Sequence, residues 1–524
     1  MTPQIPQLRP YQEGTESSAR NAFKKHKHVL LVSATGSGKT FIFSSIVRSS
    51  LSKGYKVMIV SNRAKLLKQS GQSLTLFGID AEYISAKHRV VPVNNCIVAT
   101  AQTLQRRFDL PEYQELFKSI DLWIFDEAHL QDFNFLLESG LLDKKWLLGV
   151  TATPKRSGKM RQMGLDYEVM VEGLSVQAGI DLGFLVPART FTLDAPDLSS
   201  VSIDPIRGDY NGKDLYKAFN TAKVYGGVIS EFKKLCNNEK TMCFCSSQIH
   251  AIQTCIEFNN AGISSKFVVS GLKKDDEDYN LLEDNLHLTG RKEDIEDEFD
   301  RGSFVVLCNV AIYTTGYDCV SIRNIVLLRA TLSETLWDQM CGRGGRIMPD
   351  GSKSFFRILD FGGNVARHGL YERKKVNSLW HDYHQGSGVV MTKECPPLET
   401  DCEGKHGCGR LIHISYPKCC FCGYIFKTKE EIRSIELTEI IGGEFKFKNM
   451  SATQLKAYAE LNGNSMRWVW RMLWIGNDEK DFRKGMRELS YDNKFIYRQM
   501  MIYKSEDAKK AKDLLIKEQN KLAK

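Results

Sequence analysis

Two stretches of this chain have the residue types and spacing to hold a triphosphate and cut it. The first is SATGSGKT, Ser33–Thr40. Backbone N–H groups around Thr35, Gly36, Ser37 and Gly38 can cradle phosphate oxygens there, because the first amides of a helix have no partner within it. Lys39 has the reach to meet β- and γ-phosphates, and Thr40 offers a hydroxyl to Mg2+. Ser33 stands where the strict pattern has glycine. The motif is therefore read from its setting, a buried apolar run before it and a helical run after it. The second stretch is LWIFDEAHL, Leu122–Leu130, an apolar run that ends in adjacent carboxylates. Asp126 suits a Mg2+ ion held through water, and Glu127 suits orienting and deprotonating an attacking water. His129 stays open between a coupling role and an ordinary polar loop position.

Two further clusters stand downstream. WDQMCGRGGR, Trp337–Arg346, sets Arg343 and Arg346 among three glycines. Guanidinium groups suit phosphate, and glycine lets a backbone bend sharply and approach a ligand closely. Near the C-terminus, Cys402, Cys408, Cys419 and Cys422 lie within 21 residues of one another in CEGKHGCGRLIHISYPKCCFC. The second pair has the C-x2-C spacing of a zinc knuckle, and the expectation is a tetrahedral, structural zinc site made by the four thiolates. Cys395, His406 and His413 remain substitute ligands. So short a segment has little core of its own, and a metal would supply the missing folding energy.

The elements that must position these groups follow from apolar runs. HVLLVSA, KVMIVS, CIVATA, DLWIFDE and KWLLGVTA read as buried strands, separated by segments of helical spacing such as TFIFSSIVRSSLSKG. Such alternation predicts a parallel sheet covered on both faces. From Pro187 to about Asn220 the pattern lapses into a polar connector. It resumes with KTMCFCSS, SSKFVVSG, SFVVLCNV, IRNIVLLRA and SFFRILDF, which predict a second parallel α/β domain without a phosphate loop of its own. An acidic stretch from Gly271 to Gly302 reads as a solvated helical face. Cys243, Cys245 and Cys255 read as core. The expected domains are 1–186, 187–385, a zinc module at 386–429 and a helical, basic domain at 430–524. In the last, Trp468, Trp470 and Trp474 read as the core of a small helical domain, with base stacking as the alternative.

The chain has 524 residues, 42% of them hydrophobic and 26% charged, which requires more than one core and fits a globular protein. No apolar run is long enough to span a bilayer, and the first residues lack the pattern of a secretory signal. The 14 cysteines, partly clustered and partly in strand-like runs, suit a reducing compartment and a metal site better than a disulfide framework. The net charge of +9 is compatible with a polyanion partner.

The order of the segments carries a resemblance. LRPYQ (Leu8–Gln12) is followed by the phosphate loop, SNRAKLLKQ, ATAQTL, DEAH, TATP (Thr151–Pro154), TTGYD (Thr314–Asp318) and QMCGRGGR. This series resembles the superfamily 2 helicases over roughly residues 8–365. The run from Asn309 to Arg346, with ILDFGGN and the cysteines after it, is similar to RadD-like bacterial helicases and to compact phage helicases that migrate branched DNA. The resemblance implies an α/β fold of two tandem RecA-like domains with ATP in the cleft between them. It implies that Arg343 and Arg346 reach the γ-phosphate and that Gln339 helps position water or arginines. It places Gln12 and Arg9 at the adenine and Asp318 at the ribose. It has Thr151 and Thr153 relaying between nucleotide and nucleic acid. Arg63, Thr100, Gln102 and Thr315 would touch the phosphate backbone, with helix capping as the plainer role of the threonines. Arg156 is a further candidate for that track.

The expected function is an ATP- and Mg2+-dependent DNA helicase or translocase, acting at forked or branched DNA in repair, recombination or replication. Single-stranded-DNA-binding, replication or recombination proteins are candidate partners. The expected state is a monomer in the cytoplasm of a bacterium or phage-infected cell, without a membrane partner. Because the motor series starts within the first dozen residues and no nuclease motif follows, no attached nuclease is expected. An RNA helicase and a nucleic-acid-binding scaffold with a decayed ATPase are the alternatives, since motor motifs alone do not say which sugar is tracked.

Overall fold

The computed structural model describes residues 5–62, 64–156, 162–192, 198, 201–204, 208–270, 279–314, 316–373, 375 and 377–380. Further on it describes 392–394, 411–413, 424, 437–440, 452–453, 455–456, 466, 469–470, 473, 479–492, 495–497 and 499–501. The chain divides into two compact units, Met1–Leu437 and Thr438–Lys524.

In the first unit the five early apolar runs become strands β1 (His28–Val32), β2 (Val57–Ser61), β4 (Cys96–Thr100), β5 (Leu122–Asp126) and β6 (Trp146–Thr151), and two strands outside those runs, β3 (Glu82–Ile84) and β7 (Val169–Glu172), join them. They form a parallel sheet in the order β3-β4-β2-β5-β6-β1-β7. Alternate residues serve opposite faces. Leu30, Met58, Val60 and Phe125 pack into one apolar cluster, and Val29, Leu31, Ile59 and Ile124 into another. Burial on both faces is what a continuous apolar strand requires. The register decides where chemistry can happen. Val32 pairs with Thr151, Asp126 with Val150, and Ser61 with Thr100. The phosphate loop, the carboxylates and the TATP turn therefore leave the sheet at one edge, where parallel sheets bind ligands.

A second parallel sheet follows. Its strands are β8 (Ala188–Thr192), then, after the hairpin of β9 (Ile203–Asp204) and β10 (Asp209–Tyr210), β11 (Thr241–Cys245), β12 (Ser265–Val268), β13 (Val306–Asn309), β14 (Asn324–Leu328) and β15 (Phe356–Asp360). Within this unit the order runs β12-β13-β11-β14-β15-β8. Cys243, Cys245, Cys255 and Cys308 are fully buried in its core. The polar connector is the main departure from the sequence reading. Its first residues form β8, parallel to β15, and Thr190 and Thr192 are buried. The Thr192 hydroxyl donates to the Asp360 carbonyl at 3.1 Å, which satisfies a polar group inside the sheet. Threonine favours strands, but ARTFT lacks the aliphatic run that marks a buried one. Part of the acidic stretch, 271–278, lies outside the described residues. The rest includes a helix at Lys292–Arg301, most of whose acidic residues face solvent.

After β15 the chain turns back. Arg373 pairs with Glu334 at 2.8 Å and Asp338 at 3.0 Å, and Lys375 with Asp338 at 2.6 Å. Lys155, beyond β6, lies 3.7 Å from the same Glu334. Asn377 then donates to Glu172 at 2.8 Å, the Leu379 carbonyl accepts the Gly164 amide at 2.8 Å, and the Trp380 ring fills the space a side chain at 164 would need.

In the second unit, the helix Glu479–Glu488 contributes Phe482 and Met486 to a small apolar cluster with Leu455, Val469, Leu473 and Ile496. The Trp470 ring lies 5.3 Å from Tyr491 and 5.0 Å from Phe495. Trp470 is half-buried and packs against this cluster. Trp468 and Trp474 lie outside the described residues. Among the described residues no helix is long and apolar enough to cross a membrane.

Candidate nucleotide-binding and hydrolysis site

A cleft of about 750 Å³ is lined by Thr35, Lys39, Asp126 and Glu127 from the first sheet's edge and by Asp318, Arg343 and Arg346 from the second domain. Gly38, at φ +74°, caps the helix Lys39–Leu51 in a left-handed conformation that glycine adopts without strain. A Cβ there would also strike the Gln12 amide. The Lys39 ammonium donates to the Ser33 carbonyl at 3.0 Å and the Ala34 carbonyl at 3.1 Å, within its own loop. Burial lowers its pKa, Glu127 and Asp126 oppose that, and Arg343 and Arg346 add to it. A cation so placed gains most from an anion entering the loop.

Opposite it, burial pushes the Asp126 carboxyl up to about 7, and neighbouring Glu127 pushes the same way. Glu127 holds φ at +55°, rare for a residue with a side chain. Its Oε2 is buried, accepts no hydrogen bond and lies 3.6 Å from His129 Nδ1. The oxygen donors of Thr40 and Asp126 fit Mg2+, a hard cation that prefers such ligands. His129 contacts residues of both domains. Its Nδ1 bonds the Thr151 hydroxyl at 2.9 Å, and its Nε2 faces Gln339 Nε2 at 3.4 Å, across the two domains.

The GRGGR turn is shaped by its neighbours. A Cβ on Gly342 would crowd Thr35 of the phosphate loop at 2.9 Å, one on Gly344 would enter the Phe356 ring, and one on Gly345 would strike the Tyr371 hydroxyl. The two arginines differ. Arg343 is buried and donates to the Tyr317 carbonyl at 2.5 Å and the Thr314 carbonyl at 2.6 Å, so it braces the TTGYD turn. Arg346 pairs with Asp318, and its side chain lies against Gly36. Desolvation pulls its pKa down to about 10.

Other expected positions fall as follows. Gln12 bonds the Arg9 amide at 2.9 Å and the Ser37 carbonyl at 3.1 Å. Thr151 is buried, and its hydroxyl donates to the Thr153 carbonyl at 2.9 Å. Thr153 is buried as well, with its Oγ1 unbonded. The Thr100 hydroxyl donates to Thr103 at 2.8 Å, and the Gln102 amide donates to Asp132 at 2.6 Å. Arg156 does not face an open track. Its guanidinium is buried against Asp166 at 2.7 Å, where a charge needs a partner. Arg63, Thr315 and the cysteines Cys395, Cys402, Cys408, Cys419 and Cys422 lie outside the described residues.

One group had no motif to announce it. Phe184, Leu185 and Val186 precede Pro187 as a short apolar run, and the structure sets them between the phosphate loop and the arginine turn.

Residues 5–156 match the family model described as type III restriction enzyme, res subunit. A 51.5 kDa protein of Lactococcus phage (isolate 7-9) is 25% identical over 459 residues, 84% of this chain and 87% of that protein. A Saccharomyces cerevisiae protein named as a candidate ATP-dependent helicase, IRC3, is 28% identical over 380 residues, 68% of this chain and 52% of that one. The chain thus spans about half the length of the yeast relative. A fragment named as a candidate HsdR subunit of a type I restriction enzyme from Vibrio vulnificus YJ016 has a TM-score of 0.52 at 22% identity, over 70% of this chain and 66% of that one, and shares its fold. The chain is superfamily 2 helicase-like. These likenesses support an ATPase or helicase activity.

Proposed function

We propose that this chain is an ATP-driven motor that moves along DNA and remodels it, with forked or branched DNA as its substrate. The observation that carries this reading is the facing of Lys39 and Arg346 across one cleft, each on a different sheet domain. Thr35 to Thr40 and Lys39 hold the phosphates, and Arg9 and Gln12 stand at the base end. Thr40 and Asp126 would hold Mg2+, which neutralises phosphate charge when bound. Glu127 takes the proton of the attacking water. His129 carries the state of that acid pair to Thr151 on one side and to Gln339 on the other. Hydrolysis then becomes dependent on domain closure, because the two halves of the site are complete only together. Relatedness to restriction subunits favours DNA over RNA as the track, and likeness of the series Asn309–Arg346 to branch-migrating helicases favours junctions.

The Lys39→Ala variant should keep its fold and lose ATP hydrolysis with single-stranded DNA, forked DNA or RNA alike. A phosphate-release assay on that panel tests the motor and its track together. Turnover near that of the unsubstituted chain would refute the role of Lys39, and stimulation by RNA alone would replace the DNA reading. The four cysteines keep their sequence-level assignment as a zinc site. Metal analysis of the purified chain should find one zinc per chain, and Cys419→Ser should remove it; a full complement retained in that variant would reject the ligand set.

A further inference from the structure

The three residues that no motif announced touch three parts of the site in succession. The chain leaves the helix Val176–Asp181 through Gly183, at φ +72°. The amides of Phe184 and Leu185 both donate to the Gly179 carbonyl, at 2.8 and 3.0 Å, which hooks the segment onto the first domain. The Phe184 ring lies 4.9 Å from the Tyr11 ring, and the Arg9 guanidinium sits 4.6 Å over it. Tyr11 and Gln12 both donate to the Ser37 carbonyl, at 2.8 and 3.1 Å, so this cluster is continuous with the phosphate loop. Next, Leu185 Cδ2 reaches within 3.2 Å of the position a Cβ on Gly36 would take, and the Leu185 backbone forms an antiparallel bridge with Arg346. Finally, the Val186 amide donates to the Gly345 carbonyl at 2.9 Å.

We propose that Phe184–Val186 is a strut that couples occupancy of the base end of the cleft to the placement of Arg346, with Phe184 as a specificity-determining wall for the nucleobase and Leu185 as a positioning residue. The proposal rests on the ATPase reading and deepens it. Three observations favour it. The Phe184 ring lines the cleft beneath the Arg9 guanidinium, and a base stacking there would compete with that guanidinium for its face. Gln12 already bonds the Arg9 amide and the Ser37 carbonyl, so only part of its amide is left to read a base edge. Stacking then carries the larger share of the selection, and a purine stacks over a wider area than a pyrimidine. Leu185 is bridged to the backbone of Arg346, so a shift of the Phe184–Leu185 backbone on base binding would be passed directly to the arginine turn.

The test uses the full chain with saturating single-stranded DNA and compares ATP with UTP. Phe184→Ala should raise KM for ATP about tenfold, the worth of one aromatic stack, and bring ATP and UTP to similar kcat/KM. Phe184→Tyr should restore the preference. Leu185→Gly should hold KM for ATP within about twofold while lowering kcat about tenfold or more, the split expected of a group that acts only on the reacting arrangement. Leu185→Val, which keeps an apolar side chain over Gly36, should recover most of that loss. A second arm needs no turnover. ATP should slow amide exchange in peptides covering 184–186 and 345–347, and inorganic tripolyphosphate should not. The strut is overturned if Phe184→Ala leaves the ATP-to-UTP ratio unchanged, if Leu185→Gly moves KM and spares kcat, or if tripolyphosphate protects both peptides as ATP does. If the unsubstituted chain hydrolyses no ATP with any nucleic acid, the motor reading fails alone, and the exchange arm still decides the strut.

Discussion

Arg346→Ala should lower nucleic-acid-stimulated ATP hydrolysis by about 10³–10⁵-fold, the usual worth of an arginine that meets a transferring phosphoryl group. KM for ATP should change far less, because the contact strengthens as charge spreads onto the phosphoryl oxygens. The geometry makes this arginine a sharper choice than Arg343. Arg343 is committed to the carbonyls of Thr314 and Tyr317, so removing it also unbraces a turn. Arg346 is paired with Asp318 and lies against Gly36. Its backbone is set by a turn whose glycines are hemmed in by Thr35, Phe356 and Tyr371. Arg346→Lys should rescue little, since an ammonium lacks the planar fork. Phosphate release at saturating ATP, beside a melting curve to show an intact fold, measures the effect. Hydrolysis within a few-fold of the unsubstituted rate would take Arg346 out of the reaction.

Glu127→Gln should lower kcat by about 10²–10⁴-fold, the range of a positioned general base, and leave nucleotide binding intact. Glutamine keeps the size and loses the basicity. The backbone of Glu127 is held in a conformation that costs on the order of 1–3 kcal/mol for a residue with a side chain. Such strain persists only where surrounding structure enforces it. Here its buried carboxylate oxygen lies 3.6 Å from His129 without a hydrogen bond, and the residue lines the cleft. Equilibrium binding of a fluorescent ATP analogue should show affinity equal to or above that of the unsubstituted chain. Loss of binding in step with turnover would mean that Glu127 holds the nucleotide or the fold and does not drive the reaction.

Much of this was legible in the sequence. Runs such as HVLLV and LWIFD are mostly apolar and bounded by turns, and parallel sheets bury such runs on both faces. The phosphate loop and the carboxylate pair are contiguous motifs, and strand register alone brings them together. What stayed hidden depends on contacts between distant residues. ARTFT carries an arginine and two threonines, so its place in the sheet shows only when Thr192 meets Asp360. Arg156 follows TATP, where a basic residue suits a track, but Asp166 lies ten positions on and claims it. The bond between His129 and Gln339 and the clasp of Phe184 to Arg9 each join two regions that no local pattern links.

The segment that doubles back after β15 has a mechanical consequence. Arg373 and Lys375 rivet it to the helix that precedes the arginine turn, while Asn377, Leu379 and Trp380 fasten it to the opposite half. A hinge spanned by such a ribbon cannot swing freely. If the two halves part during turnover, as the proposed motor requires, the packing of the Trp380 indole over Gly164 must open with them.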